Sequence, residues 1–414
     1  MMMKANSLHK AVGFVSLCLM ACTNDIPDIG QTDEEARRIY LSAAVEETVA
    51  SRTPYQLTEP TTEHQLNVSV WASTTDNVFQ HKTTVDGKPY DGSIGNEVAI
   101  HTTACFQSGD PQLLGEAIYP TPAEGSTIDV FFLGLHPKSQ TGSEWAVSNG
   151  YKDASYTFSG KEDVMIAPKI KGTYGLDYEN HPELLPCFHF YHLLTWLRFE
   201  VVADKDETDV KKREAIAAAW GKIKTLTIKS KSKVTIPDVG KVTIPDVGGV
   251  TSGNLVGSVS YDNEVDMSLY KTASDDVYPE SGGSVIPTKG IEEVAYVMCA
   301  PVTGVYKDAD EKMVPEYTLH IETENRTLDI PVDLRIADIV DKNNDGVISD
   351  EERKAAYFLE STMGKQFTIL LNFKMGDVIS VATMISVGGE TDWFTHGTGN
   401  GDIGEEDLDI PVGE

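Results

Sequence analysis

The residues whose types and spacing most directly suggest chemistry lie at 341–352, DKNNDGVISDEE. They satisfy D-x-[DN]-x-[DN]-G-x5-E at every defined position, the pattern of a calcium loop of EF-hand type. Asp341, Asn343 and Asp345 would offer side-chain oxygens at the first, third and fifth positions. Gly346 allows the sharp turn, Val347 would lend its backbone carbonyl, Ser349 would hold a water, and Glu352 would close the site with both carboxylate oxygens. Three ligating carboxylates without a second loop predict one Ca2+ at modest affinity, of order 10⁻⁴ to 10⁻³ M. The competing reading is an acidic surface loop, since an entering helix is only weakly suggested at 334–340 and no partner motif exists.

A second cluster, His181, Cys187, His189 and His192, could hold a metal only after rearrangement. In a strand, residues two apart share a face, so Cys187 and His189 fall on one side and His192 on the other. Packing of histidine and aromatic rings within a sheet is the expectation there. No CxxC, HExxH, GxSxG or GxxxxGK[ST] occurs in the chain, so the usual signatures of zinc hydrolysis, serine esterase chemistry and phosphate binding are missing. The reading is of a protein that is not an enzyme.

The beginning of the chain carries an address. Lys4, His9 and Lys10 precede an apolar stretch at 11–21, too short to cross about 30 Å of hydrocarbon as a helix, which reads as a secretion signal. Its end, Leu19-Met20-Ala21-Cys22, resembles the bacterial lipobox, in which the cysteine is acylated as the signal is removed; the alternative is an ordinary signal peptide with a nearby cysteine. Lipidation at Cys22 would leave Cys105, Cys187 and Cys299, an odd and widely spaced set that does not form a disulfide scaffold. They are expected as small buried residues.

These features must be positioned by a chain of 414 residues with a net charge of -30. That length accommodates roughly two or three domains of about 100 to 200 residues. A 40% hydrophobic content argues for a globular protein rather than disorder throughout. The negative balance repels phosphate, so nucleic acid and anionic membrane faces are poor partners.

Period-two alternation dominates from Ile39 onward, the mark of strands with one buried face. It is read at Ile39, Leu41, Ala43 and Val45; at Leu66, Val68 and Val70; at Ile128, Val130 and Phe132; and at Tyr317, Leu319 and Ile321. The same alternation runs through Phe367, Ile369, Leu371 and Phe373, and through Ile379, Val381, Thr383 and Ile385. Turn pairs such as Asp86-Gly87 and Asp91-Gly92 separate such runs. Helical composition is confined to 207–220 and 351–360, which makes a βαβ architecture improbable and favours antiparallel sandwiches. The tandem KVTIPDVG at 233–248 reads as a lengthened hairpin or loop, being too short for a solenoid unit. At 190–199 the apolar phase slips by one residue, which predicts a bulge or bend.

That same segment, with Phe190, His192, Leu194, Leu197 and Phe199 in the pattern F-x-H-x-L-x-x-L-x-F, resembles the fimbrillin-like lipoproteins of Bacteroidetes, the pilins and tip proteins of protease-assembled (type V) pili. Other stretches resemble that family in the same order. They are the first strand at 39–45 with Ser51-Arg52-Thr53, Tyr119-Pro120, Val130 through Pro137, Asp163-Val164-Met165-Ile166-Ala167, Gly364-Lys365-Gln366-Phe367, and Ile385 with Trp393. The calcium loop, the helix at 207–220 and the tandem repeat depart from the family pattern.

The resemblance implies an all-β fold of two transthyretin-like antiparallel β-sandwich domains in tandem, with one or two short helices. The expected division is a signal peptide at 1–21, an N-terminal segment at 22–52, sandwiches at 53–203 and 204–393, and an acidic tail at 394–414. It further implies export as a lipoprotein to the cell outer membrane and cleavage after Arg52 by an arginine-specific protease. Another subunit's strand would then enter the vacated groove, so other fimbrial subunits are the expected partners. In the tail, Leu408, Ile410 and Val412 alternate as a donor strand would, with Pro411 confined to a position needing no amide donor. Arg37-Arg38 is the competing cleavage site, but a cut there would leave 39–45 in place. The rival reading is a monomeric surface lipoprotein that binds glycans, host or bacterial, through Trp71, Trp145 or Trp196.

The calcium loop is directly testable. At about ten times its dissociation constant, Ca2+ should stabilise the folded protein by about 1.4 kcal/mol. Glu352→Gln removes the bidentate ligand and should abolish the calcium-dependent rise in melting temperature; a starting protein whose heating curve is the same in chelator and in millimolar calcium has no such site.

Overall fold

A computed structural model of the chain describes residues 37–45, 66–76, 78–79, 84–85, 88–89, 99–106, 112–120, 127–138, 145–148, 152–174, 176, 184–242, 259–302, 305–308, 311–313, 316–334, 362–376, 379–385 and 408–410. In chain order the strands begin with β1 (Arg38–Val45), β2 (Leu66–Ser73), β3 (Thr84–Val85), β4 (Lys88–Pro89), β5 (Ala99–Phe106) and β6 (Gln112–Ile118). There follow β7 (Ile128–His136), β8 (Ala146–Ser148), β9 (Asp153–Thr157), β10 (Met165–Tyr174), β11 (Cys187–His192) and β12 (Thr195–Ala203). After the helix α1 (Val210–Trp220) come β13 (Ile223–Ile236), β14 (Ser260–Tyr270), β15 (Val277–Tyr278), β16 (Glu292–Cys299), β17 (Val305–Asp308) and β18 (Glu311–Met313). The last are β19 (Glu316–Thr323), β20 (Thr327–Asp333), β21 (Gln366–Phe373), β22 (Ile379–Ile385) and β23 (Leu408–Ile410). The fold is all-β, and the alternating runs at 39–45, 66–70, 128–132, 317–321, 367–373 and 379–385 each lie on a strand.

Two sheets account for most strands. The first runs β5-β2-β7-β10-β11-β1-β6. The second runs β20-β19-β13-β14-β16-β12-β21-β22-β23, with β15 beside β14, β9 beside β13 and β8 beside β9. Pairing is antiparallel except at β1–β11 and β12–β21, which are parallel. The expectation of antiparallel sandwiches therefore needs correction at two places. Both parallel pairs join strands distant in sequence, where no hairpin imposes opposite directions. The phase slip at 190–199 is the passage between sheets: β11 ends at His192 in the first, and β12 starts at Thr195 in the second. The sequence boundary at 203/204 thus falls at the end of a strand of the second sheet. The hairpin β8–β9 also belongs to that sheet, with Thr157 opposite Lys233 and Ala154 opposite Ile236.

Two cores result. The first gathers Ile39, Leu41, Val68, Val70, Phe132, Met165, Phe188 and Phe190 inside the first sheet. The second is built on β12, β13, β16, β19 and β21, and it also takes Trp71, Leu133, Leu135, Val164 and Ile166 from the other face of β2, β7 and β10. Those three strands are walls shared by both cores, so their sequences are apolar on both faces there instead of alternating with polar residues. Close approach has a local cost in side-chain freedom. A Cβ on Gly134 would stand 2.6 Å from the ring tip of Phe190, so only glycine lets β7 pack against β11.

On the second sheet, β13 and β14 are in register so that Lys229 faces Asp266, Lys231 faces Glu264 and Lys233 faces Asp262. Opposite charges directly across an antiparallel pair are favourable, whereas a one-residue slip would place these lysines opposite neutral partners and turn the apolar face outward. The first KVTIPDVG unit forms the end of β13 and the turn after it, with Thr235 opposite Ser260 in a long hairpin.

The helix expected at 207–220 begins at Val210. Asp209 caps it, its carboxylate accepting from the Lys211 amide at 2.9 Å. Gly221 ends it at φ +74, where a Cβ would meet the side chain of Glu324. Only Ile216 and Trp220 are buried on this helix. Trp220 donates its indole N–H to the Lys374 carbonyl at 2.9 Å, meets Phe373 edge-on at 5.2 Å and lies under the Arg326 guanidinium at 4.5 Å. It anchors the helix over one end of the second core. Trp220→Ala should cost about 3 to 5 kcal/mol of stability, read as a lower urea midpoint; a loss below about 1 kcal/mol would show that the helix does not close this core.

Candidate functional site

The position of β1 distinguishes the first sheet. Toward β11 it runs parallel, with Ser42 opposite Cys187, Ala43 opposite Phe188, Ala44 opposite His189 and Val45 opposite Phe190. Toward β6 it is antiparallel, with Tyr40 opposite Leu113 and Leu41 opposite Gln112. Ile39 and Leu41 are 0% exposed, while Tyr40 between them is 42% exposed. The alternation read from the sequence thus places this strand's apolar face in the core. Full burial of two such side chains contributes roughly 3 to 6 kcal/mol.

The strand is held at its start as well. Arg37 donates from Nε at 2.8 Å and from Nη2 at 2.6 Å to the Tyr119 carbonyl, and the Tyr119 amide donates to the Arg37 carbonyl at 2.8 Å. Arg38 pairs with Ile118. The rival cleavage site Arg37-Arg38 is therefore engaged in folded structure on both its backbone and the Arg37 side chain, and a protease must first extract it. Nothing in the residue types announced this clamp, because an arginine bound to a backbone carbonyl has no sequence signature.

At the other end of the chain, β23 pairs antiparallel with β22 through Leu408 with Val381, Asp409 with Ser380 and Ile410 with Ile379. Leu408 and Ile410, two of the alternating set named from the sequence, lie in this strand, and Val412 lies outside the described residues.

Cys22, Arg52 and the calcium loop with Asp341, Asn343, Asp345, Val347, Ser349 and Glu352 lie outside the described residues, as do His181 and the helix expected at 351–360. Among the described residues no group of three or more histidine, cysteine or acidic side chains could hold a metal ion, and no helix is long and apolar enough to cross a membrane. Of the cysteines, Cys299 is buried as expected, but Cys105 and Cys187 are only half-buried. The glycan platform also needs correction: Trp71, Trp145 and Trp196 are 3%, 7% and 7% exposed. Trp71 stacks on His101 at 4.3 Å and Trp145 donates to the Pro137 carbonyl at 2.8 Å. These rings fill cores and offer no open face to a sugar.

The cluster at 187–192 divides as its periodicity requires, with His189 outward and His192 buried. His192 Nδ1 donates to Asp163, 3.1 Å from Oδ1 and 2.9 Å from Oδ2. His136 is buried beside them, its Nδ1 donating to the Asn67 carbonyl at 2.9 Å. Met165 is opposite both His136 and His192 in the sheet, which brings the three titratable groups to one end of the first core. Asp163 and His192 each stood in a family-like motif, but sequence reasoning placed no contact between them.

No family model matches this sequence, and no curated protein does. Solved structures similar to this chain include a putative cell adhesion protein from Bacteroides uniformis, at 13% identity over 84% of this chain and 98% of that chain with a TM-score of 0.38. A fimbrial assembly protein from Parabacteroides distasonis is similar at 9% identity over 84% and 99%, with a TM-score of 0.33. The fimbrial anchor protein Mfa2 from Porphyromonas gingivalis is similar at 9% identity over 85% and 99%, with a TM-score of 0.28.

Burial pushes the His136 imidazole down from 6.5 to about 4, against the opposing pull of Asp163 and the Asn67 carbonyl. As pH falls through 6.5 the unfolded chain takes up this proton, while the folded chain resists until about 4. The stabilisation is therefore complete above 6.5 and lost between 6.5 and 4. Between pH 7 and 4.5 the contribution amounts to about 2 to 3 kcal/mol. His136→Gln should make the urea-measured decline over that range smaller by about that amount; an unchanged decline would place the pH sensitivity elsewhere.

Proposed function

We propose that this chain is a cell-surface fimbrillin-like lipoprotein, a structural or tip subunit of fimbriae acting in adhesion, that assembles by strand exchange once its N-terminal strand has been removed. The observation that carries the reading is the place of β1 between β11 and β6 with Ile39 and Leu41 in the core. Loss of 22–52 withdraws that strand entirely. It uncovers apolar surface and two rows of backbone groups, a template that another chain's strand can complete. The tail is a suitable donor because its Leu408 and Ile410 already lie in a strand, paired with Val381 and Ile379 of β22. In this reading Cys22 carries the lipid that holds the precursor at the outer membrane, and the loop at 341–352 carries one structural Ca2+. Its partners are other fimbrial subunits, and its chemistry is non-enzymatic.

Cleavage after Arg52 is the step that tests it. Pro54 biases the chain there toward the extended form a protease accepts. With an arginine-specific protease, the starting protein and an Arg37→Ala/Arg38→Ala double variant should both form polymers, and Arg52→Ala should remain monomeric on size-exclusion chromatography. Protein trimmed through Arg52 that stays monomeric at high concentration, and that does not bind a peptide of 403–414, would refute the strand-exchange reading.

A further inference from the structure

The start of β1 is held by more than its ladder. On the β6 side that ladder comes in two pieces separated by a register shift, Arg38 opposite Ile118 and then Tyr40 opposite Leu113 and Leu41 opposite Gln112. Arg37 extends the outer piece. In a regular antiparallel pair the two residues exchange both backbone bonds. Here the Tyr119 amide donates to the Arg37 carbonyl at 2.8 Å, and the return bond comes from the side chain, with Nε at 2.8 Å and Nη2 at 2.6 Å from the Tyr119 carbonyl oxygen. A guanidinium presents its donors as a rigid planar fork, so the contact fixes side chain and backbone together. On the β11 side the Ser42 amide donates to the Pro186 carbonyl at 3.0 Å.

Tyr119 is a firm place to attach a strand. It is 3% exposed, and its ring packs against that of Tyr174 at the end of β10, with centroids 5.9 Å apart. A Cβ on Gly172 would stand 2.5 Å from the Tyr119 hydroxyl oxygen and 2.8 Å from Pro186 Cγ, so Tyr119 and Pro186 close on the same point of β10. The two carbonyls that receive bonds from Arg37 and Ser42 thus belong to one packed body. Cleavage after Arg52 leaves that body in place and takes Arg37 away with the strand it pins.

We propose that Arg37 is a positioning residue that latches β1 in its groove, so that the uncleaved chain holds its own strand and excludes another's until proteolysis removes strand and latch together. The inference rests on the strand-exchange reading for its use, although the latch itself is a property of the uncleaved chain. A strand opens from its ends, and the clamp fixes the end that lies immediately before Ile39 and Leu41, the two side chains that fill the core. A hydrogen bond from a charged donor is strong enough to shift such an opening equilibrium by about tenfold or more. The backbone pairs of β1 hold any strand of suitable pattern, whereas the Arg37 fork holds only a strand that carries an arginine at this place.

The test is amide hydrogen exchange on the full-length, uncleaved protein, joined to uptake of a labelled peptide with the sequence of 37–45. Exchange reports local openings separately from global unfolding. Arg37→Met keeps an unbranched stem and donates no hydrogen bond. It should speed exchange of the β1 amides at 39–44 by at least about tenfold while amides of β12 and β21 keep their rates, and it should raise peptide uptake by at least about tenfold. Arg38→Ala removes the neighbouring positive charge and leaves the clamp, and it should keep both readouts within about twofold of the starting protein. Should the Met variant fail to fold, Arg37→Gln, which loses the charged fork, is read in the same way. Exchange at 39–44 that stays within about twofold in Arg37→Met, an equal rise in Arg38→Ala, loosening of the whole molecule in both Arg37 variants, or faster β1 exchange with no gain in peptide uptake overturns the latch. The peptide is the chain's own strand and no cleavage is needed, so a failure of the cleaved protein to polymerise is recorded separately from a failure of this inference.

Discussion

A strand bonded along both edges holds its two neighbours together as firmly as they hold it, and β1 has that position between β11 and β6. Its inward side chains complete the first core, and its backbone satisfies groups on both sides that would otherwise need water or another strand. The rest of the first sheet is arranged around that dependence. β11 pairs with β1 over four residues, and the Arg37 clamp on Tyr119 secures the point where the strand enters. A fold that places so much on a segment close to its N-terminus is stable while the segment is present and incomplete without it.

The shared wall of β2, β7 and β10 ties the two cores into one structure. Because both faces of these strands are buried near the junction, small changes there are felt on both sides; Gly134 against Phe190 is one instance. Asp163 and His136 stand at the end of that wall, with His192 of β11 bonded to Asp163, and all three are buried. Removing one partner from such a group is costly because the charge or donor left behind cannot be hydrated.

The second sheet is stabilised differently. Its register is reinforced by the lysines of β13 opposite the acids of β14, an arrangement that also disperses part of the negative surplus of the chain. Its end is closed by a helix that contributes little apolar surface except through Ile216 and Trp220.

The sequence by itself marked the strands at 39–45, 66–70, 128–132, 317–321, 367–373 and 379–385, the side of each that is buried and the bend within 190–199, since alternation with period two reflects the geometry of a single strand. Ile39 and Leu41 were legible as core residues on that ground, as were the outward Tyr40, the opposite faces of His189 and His192, and a helix ending near Trp220. Its short motifs also named Cys22, Arg52 and the loop at 341–352 as sites. Which strands become neighbours was decided only by the tertiary structure. The parallel pairing of β1 with β11, the passage of β12 into the second sheet, the burial of Trp71, Trp145 and Trp196, and the meeting of Asp163 with His192 all join residues far apart in sequence. Such contacts depend on how apolar faces from separate strands fill a common core, and no local periodicity records the partner across that core.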